Sequence, residues 1–173
     1  QEGLTITDII YAWGMGADAQ KMILQANNME LHLVYFGLAR LVQSLLRSNM
    51  LKDRRLVVLT DRLHQVTGDE ETQYGQSLLI GLVNVLPQEY GMTCFNIDIS
   101  GKENVQAYAV QLAAEINYNN GRENRMVALR HGRRWVPDHQ KHTGPVQKGS
   151  IIRRGGSYLI TGGLGNVGSV LAR

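Results

Sequence analysis

Near the end of the sequence, the run Thr161-Gly162-Gly163-Leu164-Gly165-Asn166-Val167-Gly168 has the residue types and spacing of a phosphate loop. It contains Gly163-x-Gly165-x-x-Gly168. A β-branched and aromatic stretch, Ser157–Thr161, precedes it, and apolar Val167, Val170 and Leu171 lie at its far end. This order predicts strand, tight turn and helix. Glycines let the backbone turn and approach a ligand closely, while N–H groups and the helix dipole at a helix start favour negative charge. The chemistry expected is therefore the holding of a dinucleotide pyrophosphate, with all eight residues as cofactor-binding positions. The acid or arginine that reads the ribose stands about 20 residues beyond such a loop, past Arg173, so cofactor choice is not written in the loop itself.

Other groups carry weaker chemical signals. Gly14-x-Gly16 reads as a turn, because Asp18 brings negative charge and no third glycine follows. His131, His139 and His142, with Asp138, lack a recognised ligand spacing and read as a solvated polar loop, so no metal site is expected. Cys94 lies among apolar residues and reads as a packed thiol. Asp98 falls at a strand end, where a catalytic carboxylate can sit; a turn or cap before Gly101 is the alternative and the preferred reading. Asp53-Arg54-Arg55 and Arg133-Arg134 read as exposed charges beside strand ends, with contact to a partner domain or carrier as the alternative. No Gly-x-Ser-x-Gly elbow occurs, and no catalytic residue is assigned.

The elements that must position these groups alternate. Ile6–Trp13 reads as a buried strand ended by Gly14-Met15-Gly16. Leu31–Leu46 has apolar residues at three-and-four spacing and reads as a helix. Arg55–Thr60 is a strand, and Asp69–Gln73 is expected to cap a helix carrying Leu78, Leu79, Leu82, Val83 and Leu86, with Pro87 ending it. Met92–Ile99 is a strand, Lys102–Asn117 a helix and Arg125–Arg130 a strand. Pro137–Ser150, rich in Pro, Gly, Lys and His, reads as a surface linker. The expected fold class is α/β: a truncated Rossmann-like, mostly parallel open sheet with helices on both faces, followed by the first strand-turn-helix of a second Rossmann unit.

Composition narrows the function classes. The chain has 173 residues, 43% hydrophobic and 19% charged, which excludes the disordered class. The net charge of +3 is scattered apart from a cluster at Arg122–Arg134, which disfavours a nucleic-acid partner. The lone cysteine excludes an internal disulfide and suits a reducing compartment. No apolar run approaches the roughly 18 residues of a membrane span, so the expectation is a cytoplasmic protein with no membrane partner.

At Gly81-Leu82-Val83-Asn84-Val85-Leu86-Pro87-Gln88-Glu89-Tyr90, then Cys94-Phe95-Asn96-Ile97-Asp98-Ile99, the sequence resembles the ketoreductase domains of modular polyketide synthases. Val127–Val136 is similar to the strand-turn-strand closing that family's first half, and Arg154–Gly165 to the opening of its second half. Asp8–Gly14 fits the family's first strand. Asn166 stands where the family often has Gly, and Leu129 where it often has Tyr. The resemblance implies a structural subdomain at 1–137, a linker at 138–153 and, at 154–173, the start of a short-chain-reductase-like catalytic subdomain. It further implies NADPH as cofactor and reduction of a β-ketoacyl thioester, phosphopantetheine-bound on an acyl carrier protein, to the β-hydroxyacyl thioester. The partners implied are the rest of the catalytic subdomain, neighbouring synthase domains and the carrier. The family's catalytic Tyr, Ser and Lys lie past the fingerprint, so the chain alone is expected to be inactive. The alternative is a non-catalytic, reductase-like scaffold subdomain within a synthase module.

Overall fold

A computed structural model describes residues 6–16, 32–51, 54–100, 105–118, 125–141, 143 and 153–171. Leu31, Asp53, Gly101, Lys102, Arg122 and His142, which enter the sequence reading above, lie outside the described residues, as does most of the 138–153 linker. The chain divides into two compact units, Gln1–Asp138 and His139–Arg173.

The first unit is built on a five-stranded sheet whose order follows the chain: β1 (Asp8–Tyr11), β2 (Arg55–Asp61), β3 (Thr93–Ile99), β4 (Met126–Arg130) and β5 (Arg133–Trp135). The first four pair in parallel and β5 returns antiparallel to β4. Among the described residues, three α-helices lie between the strands: α1 (Gly37–Arg47), α2 (Ser77–Tyr90) and α3 (Val105–Tyr118).

Period-two alternation decides which face each residue serves. Leu56, Val58 and Cys94 face a core completed by Val34, Leu38 and Val42 from around α1 and by Leu79, Val83 and Leu86 from α2. Val57, Leu59, Phe95 and Ile97 face the opposite way, where Tyr108, Leu112 and Ile116 of α3 pack with Val127 and Leu129 of β4. Both central strands are covered on two sides, which is why they read as unbroken apolar runs. Among the described residues, α1 and α2 serve one face and α3 the other.

Several expectations are corrected here. Ile6–Trp13 is not a buried strand: β1 keeps only four residues and forms the sheet's edge, leaving Ile10 and Trp13 more than half exposed. The helix expected from residue 31 opens instead as a π-turn over His32–Phe36, with the Tyr11 hydroxyl against the Leu33 carbonyl and donating to that of Val34 at 3.1 Å. Pro87 does not end α2, which runs on to Tyr90 and stops at Gly91. A proline costs the helix one hydrogen bond, but burial of Val83 and Leu86 carries the backbone through it. Asp69 and Glu70 do not cap α2, since a 3₁₀ turn, Tyr74–Gln76, intervenes and the helix start has no side-chain cap.

The β4–β5 hairpin turns through His131 (φ +50) and Gly132 (φ +71), both left-handed, with Arg130 paired to Arg133. Two positive φ values in a two-residue loop match the twist of antiparallel strands. No described helix is long and apolar enough to cross a membrane.

Phe95 is fully buried between β3 and α3. Phe95→Ala should cost about 3–5 kcal/mol, read as a lowered denaturant midpoint at unchanged slope.

Candidate functional site

In the second unit, α4 (Asn166–Leu171) follows the glycine run. Gly162 is left-handed (φ +74), and the Gly165 N–H closes a turn onto the Gly162 carbonyl at 2.9 Å. The Ser169 N–H reaches the Gly165 carbonyl at 2.9 Å and its hydroxyl donates to the Asn166 carbonyl at 3.0 Å, fixing the helix start. Gly168 is buried against the loop. A Cβ there would stand 2.3 Å from the Gly162 carbonyl oxygen and 2.6 Å from the Gly163 Cα, so no side chain fits. Thr161, Leu164, Asn166 and Val167 face solvent. Turn and helix are thus where the sequence places them, whereas Ser157–Thr161 carries no strand ladder. An extended segment becomes a strand by pairing, and the described residues of this unit contain no second strand.

In the first unit, the carboxyl ends of the parallel strands, the side on which open α/β sheets bind ligands, carry a buried charge network. Asp98 is wholly buried and its two oxygens receive four donors: the Thr60 hydroxyl at 2.6 Å, the N–H groups of Leu63 (2.9 Å) and His64 (3.1 Å), and Arg130 Nη2 at 2.5 Å. Arg130, 1% exposed, reaches the Glu70 carboxylate through Nε at 3.1 Å and the carbonyls of Asp98, Leu129 and His64 at 2.9–3.0 Å. A guanidinium has five N–H donors and a carboxylate about four lone-pair sites; here both are fully used.

Asp98 is therefore neither the catalytic carboxylate nor the turn-forming cap that its place in the sequence suggests. It ties the loop after β2 to the ends of β3 and β4. Glu70 completes the tie by accepting the N–H groups of Val66, Thr67 and Gly68 at 2.9–3.1 Å. Burial pushes the Glu70 carboxyl up, but the backbone donors led by Thr67 and Gly68 outweigh it and hold the group down at about 2. Sequence reasoning does not single out Glu70 or Arg130; the available signal is a charged residue at the inner end of each of two apolar strands, which marks Asp98 and Arg130 as a pair.

The arginines read as exposed strand-end charges are also engaged. Arg55 pairs with Asp8 at 2.6 Å and donates to the Ile116 carbonyl at 3.0 Å, joining the edge strand to α3. Arg54 donates to the Ile6 carbonyl at 3.1 Å. Arg134 makes a two-pronged pair with Glu115 at 2.7 and 3.1 Å and lies over the Tyr118 ring at 5.5 Å. Burial pushes the Cys94 thiol up to about 12, so it carries no thiolate at neutral pH. Among the described residues, no group of His, Cys, Asp or Glu could hold a metal ion.

The strand topology defines a class: a Rossmann-like α/β unit whose strand ends are closed by an internal charge network. Comparisons with known proteins narrow this. No protein-family model matches the chain. Over 125 residues it is 36% identical to a phenolphthiocerol/phthiocerol polyketide synthase protein of Mycobacterium tuberculosis (strain ATCC 25618 / H37Rv), and equally to one of Mycobacterium bovis (strain ATCC BAA-935 / AF2122/97). Each match takes in 69% of this chain and 7% of the relative, so the chain spans a small fraction of the length of these synthase proteins. A solved multidomain structure of a keto acid-selecting NRPS module, containing adenylation, ketoreductase and pseudo Asub parts, aligns with a TM-score of 0.56 at 20% identity, over 98% of this chain and 14% of that one. At that identity the likeness shows the fold. The chain is related to a short stretch of polyketide synthase proteins and has a Rossmann-like α/β fold.

Arg130→Ala strands the Asp98 carboxylate in the interior and should cost about 3–5 kcal/mol in chemical denaturation. A second outcome concerns acid. Because the folded carboxyl of Glu70 lies near 2 and its ordinary value is 4.5, its contribution to stability is complete above the ordinary value and is lost as pH falls toward 2. The stability gap between the native chain and Glu70→Gln should therefore shrink over that window, and a gap unchanged by pH would show that the Glu70 charge contributes nothing.

Proposed function

We propose that this chain supplies the structural subdomain (1–137), linker (138–153) and cofactor-loop opening (154–173) of a polyketide synthase ketoreductase. The intact domain reduces a carrier-bound β-ketoacyl thioester to the β-hydroxyacyl thioester. NADPH, when bound, supplies the hydride.

The observation that carries this reading is the contact of Gly168 with Gly162 and Gly163, which leaves no room for a Cβ. That is the third-glycine role in a dinucleotide loop, where helix and turn must approach closely. Asn166 opens the helix without disturbing the contact, so the departure from the family's more usual glycine is compatible with binding. The Thr161–Gly168 backbone would face the pyrophosphate. The first unit supports the same division of labour by what its residues already do: Asp98 and Arg130 spend their hydrogen-bonding capacity on each other and on the backbone. Its described strands also run in sequential order with no reversal, and so make no switch-point crevice for a dinucleotide. Neighbouring synthase domains and an acyl carrier protein in the cytoplasm complete the proposed setting.

The test pairs calorimetric titration with NADPH and a reduction assay on a β-ketoacyl N-acetylcysteamine thioester. The 173-residue chain should show neither micromolar binding nor turnover, because one loop cannot offset the cost of immobilising a large flexible cofactor. The parent protein, carrying a Tyr-x-x-x-Lys helix beyond Arg173, should show both. Turnover by the short chain would overturn the division of labour. A parent that lacks that helix and binds no NADPH would replace the reductase reading with the scaffold one.

A further inference from the structure

The outward side of α1 and of the π-turn before it is a continuous strip. Leu33, Phe36, Arg40, Gln43, Ser44 and Arg47 are all exposed along it, while Val34, Leu38 and Val42 point into the core. At its first end the strip is apolar: Leu33 is 46% and Phe36 40% exposed, and Trp13, 65% exposed, lies against Gly37, 3.3 Å from where a Cβ would stand. Further along it is basic. Residues 32–51 contain Arg40 and Arg47 and no Asp or Glu, and neither arginine has an ion-pair partner among the described residues. The two stand seven residues apart on one side of the helix, about 10 Å along its axis at 1.5 Å per residue.

We infer that this strip is a docking surface for an acidic helical protein segment, one with an apolar anchor for the Trp13–Phe36 end and carboxylates two turns apart for Arg40 and Arg47. Charge complementarity selects the partner, since two guanidinium groups without ion-pair partners among the described residues, on a helix side without acids, attract carboxylates and repel basic surfaces. Clustered exposed aromatics supply the desolvated anchor that interfaces favour. A lipid surface fits less well. An interfacial helix turns an apolar stripe outward along its whole length, whereas the full-length stripe of α1 is buried and only one end of its outer side is apolar. No residue of the strip belongs to the glycine loop, so the inference stands apart from the reductase reading.

Trp135→Phe leaves Trp13 as the sole tryptophan and so makes its emission a local reporter. This variant of the full chain is titrated with three probes: a synthetic helical peptide with leucines at one end and Glu at i and i+7, the same peptide with Lys for Glu, and phosphatidylserine vesicles. The Glu peptide should give a saturable emission shift that about 1 M salt largely abolishes, the Debye length there being about 3 Å. Arg40→Glu with Arg47→Glu should weaken it at least about tenfold while the far-ultraviolet circular dichroism is unchanged. No saturable shift with the Glu peptide, an equal response to the Lys peptide, indifference to the double substitution, or binding to vesicles alone would each overturn the inference.

Discussion

An ion pair taken out of water destabilises a fold unless every remaining hydrogen-bonding site on both ions is met. The Asp98–Arg130 pair is buried at 0% and 1% exposure and meets that condition by recruiting backbone from three places: the loop after β2, the end of β3 and the end of β4. Thr60 brings β2 itself into the set. The sheet's carboxyl end is therefore not a row of loose loops. It is one polar knot that joins the loop after β2 to the ends of β3 and β4, beyond the backbone ladders that set the register.

This constraint shapes function as well as stability. In an open parallel sheet the strand ends are where catalytic carboxylates and phosphate-binding groups usually project. Here the strongest acid–base pair at that position is turned inward, and Glu70 folds the following loop over it by accepting three successive backbone N–H groups. A unit so closed keeps its charged strand-end groups for its own fold. The glycine loop of the second unit is the opposite case: its backbone is turned tightly on itself by Gly162 and Gly168, yet Leu164 and Val167 stand in solvent.

The sheet and its helices are legible in the sequence because apolar period and strand length report burial directly. Leu56–Leu59 and Cys94–Ile97 alternate between two cores, and both runs read as strands from sequence, the first as one covered on both faces. What escapes are features set by tertiary neighbours. Ile6–Trp13 has the composition of an interior strand, but strand order, which composition does not encode, puts β1 at the edge. Pro87 is a helix breaker by local chemistry, overruled by the core contacts of Val83 and Leu86. Arg55 and Arg134 look like surface charges until Asp8 and Glu115, far from them in sequence, arrive opposite. Asp98 stands out in the sequence, yet its role depends on Arg130, 32 residues on.

The second unit shows the same dependence carried further. Its described helix has six residues, fewer than the roughly 12–15 at which isolated helices become even marginally stable. Val167, Val170 and Leu171 are each about 70% exposed, and Leu159 just before the turn is 93% exposed. Apolar groups on one side of a short helix, next to an extended apolar segment without a ladder, are half of a two-layer arrangement, since a strand and the helix after it bury their faces only against a sheet. The tight Gly162–Gly168 contact is local and forms from the turn alone, whereas strand pairing and helix burial need the other layer. Sequence therefore specifies the loop's shape more fully than its surroundings, and the reductase reading rests on the part of the site whose geometry depends least on distant residues.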